Sequence, residues 1–323
     1  MPLVTIDGVS HALDEGENLL DGLLRRGVLV PSSCRSGVCQ SCLLRVVEGV
    51  VPETAQRSLR DTQRAQGFFL ACSTAVTEDL EVERPSDAGR VLDTQVIDVQ
   101  RLDARTVALR LAWPEGFAYQ AGQFINLMRD DGTVRSYSLA SVPTLDPHLE
   151  LHIARMPGGR LSSWACDEAK PGDALQFTGP VGNCFYVPGA PAQPLFLFGT
   201  GTGLAPLYGI LRDALAQGHT GAIYLFHGSP VEAGLYLHEV LRGIEATHPQ
   251  VHYHPCVLET PARADVAHGD MAQISLAMCG DLDGYRVYLC GAPEIVRSMQ
   301  RKCFLTGADM KNIFADAFLP AAT

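Results

Sequence analysis

Residues 195–206 read Leu195-Phe196-Leu197-Phe198-Gly199-Thr200-Gly201-Thr202-Gly203-Leu204-Ala205-Pro206. Four consecutive apolar residues bounded by a glycine-rich loop have the length and texture of a buried strand, and the residues after the loop open a helix. A strand, a glycine loop and then a helix form the arrangement that binds a pyrophosphate. The glycines let backbone N–H groups approach the phosphates, and the positive end of the helix dipole stands behind them. The spacing is not the strict G-x-G-x-x-G, so the loop alone has moderate specificity.

The alternation continues downstream. Apolar strands at 222–227, 252–257 and 286–289 alternate with helical stretches near 203–216, 235–246, 270–278 and 293–304. That pattern predicts an α/β domain with a parallel sheet and crossover helices. Upstream, residues 91–187 read as all-β, with short runs at 91–101, 105–112, 123–128, 134–140, 149–155 and 174–178 separated by Gly and Pro, which predicts a small antiparallel β-barrel. Residues 1–83 form a further unit with short strands at 3–6, 11–13, 43–47, 68–72 and 80–82, an amphipathic helix over 17–26 ended by Gly27, and a polar helical stretch over 58–66. Residues 84–90 are polar, rich in turn formers and without periodicity. The expected organisation is a multidomain α+β chain, with domains over 1–84, 91–190 and 191–323 and a linker over 85–90.

A chain of 323 residues with 46% hydrophobic and 19% charged residues is an ordinary globular protein, which excludes disordered, collagenous and coiled-coil classes. The longest uncharged stretch, 174–211, holds seven Gly and five Pro, and no 18-residue apolar run occurs. The start has no basic n-region and no apolar h-region, so a soluble, cytoplasmic protein is expected. A net charge of −11, spread along the chain, disfavours nucleic acid and anionic membranes as partners.

Ten cysteines are many for such a chain, and four follow the spacing Cys34-x4-Cys39-x2-Cys42-x29-Cys72. In a reducing compartment, tight cysteine spacing points to metal or catalysis before disulfides. Four Cys thiolates hold a 2Fe–2S cluster, and C-x4-C-x2-C with a distant fourth Cys is the plant-type spacing. A structural zinc site would favour two C-x2-C pairs, and here there is one. Ser36 and Gly37 suit a tight loop whose N–H groups point at the sulfurs. The unit resembles plant-type ferredoxins over its whole length, which implies a β-grasp fold; Gln40 stands where many relatives carry Gly. Cys166, Cys184, Cys256, Cys279 and Cys303 read as small buried hydrophobes.

In the second unit Arg135-Ser136-Tyr137-Ser138 ends a strand. It supplies a cation for phosphates, a flat ring and a hydroxyl, on a strand where residues two apart face one side. Arg155-Met156-Pro157-Gly158-Gly159-Arg160-Leu161-Ser162-Ser163-Trp164 places two Gly and two Ser at the start of a helix, a phosphate-accepting N-terminus. Together, ahead of a nucleotide-binding unit, these segments resemble the flavin domain of the ferredoxin-NADP reductase superfamily. The resemblance implies FAD. Arg135 would hold its pyrophosphate beside Ser136, Tyr137 would stack on the isoalloxazine, and Ser138 would approach N5. Gly159, Leu161, Ser162 and Ser163 would complete the phosphate site.

Gly199, Thr200, Gly201, Thr202 and Gly203, with Leu204-Ala205-Pro206, match the same superfamily, as does Cys290-Gly291-Ala292-Pro293 after the 286–289 strand. Asp316-Ala317-Phe318 resembles the acid-x-aromatic terminus of plant-type reductases, with Asp for the usual Glu, Phe for the usual Tyr, and five residues following. By that resemblance Cys290, Gly291 and Pro293 line the nicotinamide site, Asp316 hydrogen-bonds nearby and Phe318 covers the flavin. Catalysis is expected from Ser138, Cys290, Asp316 and Phe318. No Lys or Arg lies between Arg212 and Arg242, and Glu232 suits a ribose hydroxyl, so NADH is expected over NADPH. His248, His252 and His254 lack companion Cys or carboxylates and read as packed or solvated.

Across essentially the whole chain the sequence resembles the NADH-dependent reductase components of bacterial multicomponent oxygenases. That resemblance implies hydride transfer from NADH to FAD, then single electrons through the 2Fe–2S cluster to a terminal oxygenase or monooxygenase, the acceptor being a ring-hydroxylating dioxygenase or a diiron enzyme. A cytochrome P450 or a deoxysugar dehydratase as acceptor would use the same internal chemistry. A monomer is expected.

Overall fold

Leu3–Ile6 (β1) turns Val4 and Ile6 inward, the alternation of a strand with one wet face. In the computed structural model, which describes residues 1–32, 35, 37, 42–85 and 91–318, β1 pairs with Val9–Ala12 (β2) through Asp7-Gly8, both at positive φ, 53° and 75°. A two-residue Asp-Gly turn of this kind matches the twist of the strands it joins. Leu19–Arg25 (α1) is capped by the Asn18 side chain and buries Leu19, Leu20 and Leu23. Leu43–Glu48 (β3), Asp61–Ala65 (α2), Phe68–Leu70 (β4) and Leu80–Glu83 (β5) follow. The sheet runs β2-β1-β5-β3-β4, with β1 and β5 parallel and the other pairs antiparallel. This mixed sheet, with the leucines of α1 packed in its core, is the β-grasp arrangement.

Two expectations are shortened here. The strand over 68–72 stops at Leu70, because Ala71–Ser73 forms a tight helical turn that leaves the ladder. The helix over 58–66 forms only over Asp61–Ala65.

The chain divides into two compact units, Met1–Asp87 and Ala88–Thr323, so the barrel and the parallel-sheet region share one unit. Its first sheet contains Leu92–Arg101 (β6), Thr106–Ala112 (β7), Phe124–Met128 (β8), Val134–Ser138 (β9), His148–Ala154 (β10) and Ala174–Val181 (β11). The order is β10-β7-β6-β11-β8-β9, antiparallel throughout, and a bridge between Leu139 and Leu151 brings the two edges together into a barrel. Arg160–Asp167 (α3) lays Leu161, Trp164 and Ala165 against the barrel core.

The second sheet is parallel, in the order β15-β14-β13-β12-β16-β17: Leu195–Thr200 (β12), Ile223–Ser229 (β13), Val251–Val257 (β14), Ala267–His268 (β15), Arg286–Gly291 (β16) and Ile313–Ala317 (β17). Leu204–Ala216 (α4), His238–Thr247 (α5), Met271–Cys279 (α6) and Pro293–Leu305 (α7) connect them. Leu195 and Leu197 enter one apolar cluster and Phe196 and Phe198 another, so the continuous apolar run reflects a strand covered on both faces. β17 extends the sheet beyond the expected strands, beside β16. The α5 helix begins at His238, three residues later than its periodicity suggests, because Leu237 takes a left-handed φ of 58°. No helix among the described residues is long and apolar enough to cross a membrane.

One buried carboxylate of α4 gives a stability test. Burial pushes Asp213 above the usual carboxylate range, against a hydrogen bond from Gln217. Its other oxygen has no partner. The folded chain therefore holds this proton more tightly than the unfolded chain, and stability falls as pH rises through that window. Asp213→Asn keeps the carbonyl that Gln217 uses. It is expected to raise Tm at pH 7 and to change it little near pH 4 in parallel melts.

Candidate active site

Of the four expected cluster ligands, Cys34 and Cys39 lie outside the described residues, as do Ser36 and Gln40. Cys42 is buried immediately before β3, and Cys72 is half-buried in the turn after β4. The β3–β4 register sets Leu43 opposite Leu70, and the Ala71 N–H donates to the Cys42 carbonyl at 3.0 Å, so the two cysteines approach each other. Asn18 Nδ2 donates to the Cys72 carbonyl at 2.9 Å and holds that turn. Burial, with the Cys72 sulfur beside it, pushes the Cys42 thiol up to about 11. Thiolates in such surroundings need a bound cation to carry their charge, which suits iron. Arg35 and Gly37 both take left-handed backbone, φ 53° and 76°, and the Ser58 hydroxyl donates to the Gly37 carbonyl. A Cβ on Gly37 would lie 2.9 Å from Ser73 Oγ, so this position, at φ 76°, suits glycine. Cys42, Cys72 and this backbone fit a 2Fe–2S centre.

On β9, Arg135 and Tyr137 pair with buried Leu127 and Ile125, while Ser136 and Ser138 pair with Asn126 and Phe124. Arg135 and Tyr137 thus share one face and Ser138 occupies the other. Arg135 is exposed, its guanidinium turned onto the Val134 carbonyl at 2.6 Å. Tyr137 is half-buried against the barrel core. Ser136 donates to Asn126 Oδ1 at 2.7 Å. The α3 helix begins at Arg160 with Gly159 as its N-cap, so Leu161, Ser162 and Ser163 all lie in its first turn. The Ser162 hydroxyl accepts from Met156 N at 3.2 Å and donates to the Gly159 carbonyl at 3.3 Å. It shapes the loop, which leaves first-turn N–H groups for a phosphate.

In the glycine loop, Gly199 and Gly203 have no room for a side chain. A Cβ on Gly203 would stand 2.3 Å from the Cys290 carbonyl oxygen, and one on Gly199 would stand 2.7 Å from Leu207 Cδ1. Gly201 takes φ +55°. Gly291, at φ +127°, faces Thr200 with 2.5 Å between a hypothetical Cβ and Oγ1, and Ala292 N donates to that hydroxyl at 3.4 Å. Thr202 lies between the two glycines in a tight helical turn, and Pro293 opens α7. The glycines thus let the ends of β12 and β16 pack backbone to backbone, while Thr200, Gly201 and Thr202 stay partly exposed at the helix start, which fits a dinucleotide pyrophosphate.

β17 carries Asp316 to a position beside Cys290, its parallel register partner. Ser138 Oγ, 178 residues away in sequence, donates to Asp316 Oδ2 at 2.9 Å. Burial pushes Asp316 above the usual carboxylate range, and the Ser138 hydroxyl opposes the shift. Phe318 N donates to the Gly291 carbonyl at 2.9 Å, which anchors the segment next to the glycine loop. Ser138, Cys290, Asp316 and Phe318 thus converge. Cys290 is only 1% exposed, and its sulfur lies 3.8 Å from that of Cys184, which sequence reasoning had grouped with the scattered core cysteines.

The expected ribose region opens on a cleft of about 330 Å³ that includes Glu232, Tyr236 and Arg263. Glu232 Oε2 accepts from the N–H groups of Ala262 and Arg263 at 2.8 and 3.3 Å. Arg263 is a cation of this cleft from outside residues 213–241, and its guanidinium pairs with Glu239 at 2.8 Å and Asp265 at 3.3 Å. The barrel and the parallel-sheet region are locked by a bidentate pair, Arg212 to Asp146, at 2.8 Å for both contacts. His252 and His254 stack on Tyr224, and no group of three or more His, Cys, Asp or Glu among the described residues is arranged for a metal.

A β-grasp unit carrying Cys42 and Cys72, with a barrel and a parallel sheet ending in a glycine loop, fits an iron–sulfur flavoprotein oxidoreductase. Family models agree: the 2Fe-2S iron-sulfur cluster binding domain matches residues 4–77, the oxidoreductase FAD-binding domain 94–186 and the oxidoreductase NAD-binding domain 197–301. The chain is 32% identical to the naphthalene 1,2-dioxygenase system ferredoxin–NAD(P)+ reductase component of Pseudomonas putida, over 94% of each. It is 34% identical to the aromatic O-demethylase reductase subunit of an Amycolatopsis strain, over 99% of each. Among solved structures, an Amycolatopsis cytochrome P450 reductase superposes with a TM-score of 0.68 at 32% identity, over 100% of both chains. The chain belongs to the family of ferredoxin-domain reductase components of oxygenase systems, with a 2Fe–2S cluster, FAD and NAD(H) as its cofactors.

Proposed function

We propose that the chain takes hydride from NADH onto FAD and delivers single electrons through its 2Fe–2S cluster to an oxygenase component, a ring-hydroxylating dioxygenase or a diiron monooxygenase. The observation that carries this reading is the convergence of Ser138 on the barrel with Asp316 and Cys290 on the parallel sheet, at the end of the glycine loop. When bound, FAD accepts two electrons at once and releases them singly, which a one-electron cluster requires. The chain supplies the rest. Arg135 and the first turn of α3 hold phosphate, and Tyr137 orients the ring. Gly199–Gly203 seats the pyrophosphate of NADH, Ser138 and Asp316 set the polar edge at N5, and Phe318 keeps water from the reacting faces. Cys34, Cys39, Cys42 and Cys72 hold the iron. The protein works as a cytoplasmic monomer, with its partner chosen at the cluster unit.

A cytochrome P450 acceptor is the second reading, favoured by the likeness to the Amycolatopsis P450 reductase. The oxygenase reading ranks first because most relatives that match over nearly the whole chain come from dioxygenase and phenol hydroxylase systems. Reduction rates of purified candidate acceptors of each class decide between them.

NADH is the expected donor. Glu232 is engaged by backbone N–H groups, and Arg263 is already paired with two carboxylates, so neither offers a ready site for a 2′-phosphate. A missing charge-assisted phosphate contact is worth about 1.5–3 kcal/mol, so kcat/KM should favour NADH by about ten- to a hundredfold. Equal use of NADPH would contradict the placement of the ribose site.

A further inference from the structure

We propose that Cys184 is a positioning residue for hydride transfer, fixing the Cys290 thiol at the nicotinamide site. The inference rests on the reading above, in which Cys290 lines that site.

Cys184 lies just beyond β11, on the segment that leaves the barrel, while Cys290 ends its run on β16, 106 residues later. The 3.8 Å between their sulfurs is an S–H···S contact inside the protein, since the two side chains are 3% and 1% exposed. On its other side Cys290 has Asp316, and Asp316 takes the Ser138 hydroxyl. A row of four polar side chains thus runs from the barrel exit, across β16 and β17, to barrel strand β9.

Neither end of the cysteine contact can drift. At Gly122, φ +99°, a Cβ would stand 2.5 Å from the Cys184 carbonyl oxygen, so that backbone is pressed against the loop before β8. The Cys184 side chain packs in the cluster of Leu204, Leu207 and Ile210, on the helix behind the glycine loop. The Cys290 carbonyl is fixed by its approach to Gly203. The Cys290 side chain is buried in the same cluster, and its contact with the Cys184 sulfur favours one of its torsional wells.

In hydride transfer the C4–H bond of NADH breaks with its electron pair and an N5–H bond forms on FAD; NADH becomes NAD+ and the flavin gains two electrons. The reacting atoms must stand about 3–3.5 Å apart, and a small displacement of a lining side chain lowers the rate. A thiol contact is weak, so the expected loss is about three- to tenfold.

Packing alone makes the opposite prediction for the two simplest variants. If Cys184 only fills an apolar cluster, Cys184→Ala is tolerated better than Cys184→Ser, which buries a hydroxyl among leucines. If it positions the thiol, Ser keeps a donor and acceptor and outperforms Ala. The test is stopped-flow flavin reduction by NADH in the holoprotein, together with the S–H stretching band of Cys290 in flavin-free protein, assigned by its loss in Cys290→Ala. We expect Cys184→Ala to be about three- to tenfold slower with unchanged NADH affinity, Cys184→Ser to recover most of the rate, and the S–H band to shift in Ala. Ala at the parental rate with an unmoved band, or Ser slower than Ala, would overturn the proposal. A parent protein whose flavin NADH does not reduce would overturn the proposed function instead, and the band would still report whether the thiols are paired.

Discussion

Cys72→Ser is expected to strip iron from the purified chain and abolish electron delivery to a one-electron acceptor protein, while NADH still bleaches the flavin at the parental rate. The turn that presents Cys72 survives the change, because it is held by groups other than the sulfur. Asn18 reaches the Cys72 carbonyl at 2.9 Å, and Thr74 Oγ1 donates to the Leu70 carbonyl at 3.0 Å. The variant therefore loses a ligand and keeps its fold. Changes outside the ligand shell of a metal already cost about 10- to 100-fold, so loss of a ligand should exceed that in electron delivery. The residues proposed for the hydride path all lie in the other compact unit, so the two readouts should separate. Cys166→Ser, at a buried cysteine of the barrel, is the control and should retain full iron. Full iron content in Cys72→Ser would remove it from the ligand set.

Gly203→Ala is expected to have the second large effect. Its new Cβ would meet the Cys290 carbonyl oxygen at 2.3 Å, the carbonyl carbon at 2.7 Å and Gly291 N at 2.9 Å. All three are backbone atoms, so no side chain can swing aside. The ends of β12 and β16 must move apart, and they carry the pyrophosphate loop and Cys290. A shift of about 1 Å at reacting groups costs about a hundredfold, and kcat/KM for NADH should fall by at least that much. The cluster's spectrum should stay unchanged. Gly243→Ala separates this from a general intolerance of glycine replacement: a Cβ there meets nothing within 4 Å, and the residue lies within α5. It should leave kcat/KM alone and raise stability by about 0.5–1 kcal/mol in denaturant melts.

The parts of the molecule that local chemistry dictates were legible in the sequence. Leu195–Phe198 followed by the glycines reads as a buried strand and a close-approach loop, and the cysteine spacing is the plant-type signature of a 2Fe–2S cluster. The parts that depend on distant pairing were not. β17 carries an Asp and two alanines in five residues, so neither its apolar content nor its periodicity marks it as a strand; pairing with β16 makes it one. Ser138 and Asp316 are 178 residues apart, and no spacing rule predicts that they meet. Cys184 carries no local signal and gains its interest only from the sulfur across from it. Arg263 carries no local signal of its place, because the cleft gathers residues from three separate chain segments, 102–103, 232–240 and 263. Ser162 is expected in the phosphate site as part of a helix N-terminus, and the contacts of its hydroxyl with Met156 and Gly159 were not legible, because they depend on the helix starting at Arg160.

The most direct test of the central claim is an anaerobic titration of the holoprotein with NADH, followed by absorbance and by the paramagnetic signal of the reduced cluster. A two-electron flavin joined to a one-electron cluster should take up about one and a half equivalents of NADH, with the cluster signal growing to one spin per chain. A titration that ends at about one equivalent with the cluster still oxidised would contradict the account, because hydride would reach the flavin and go no further.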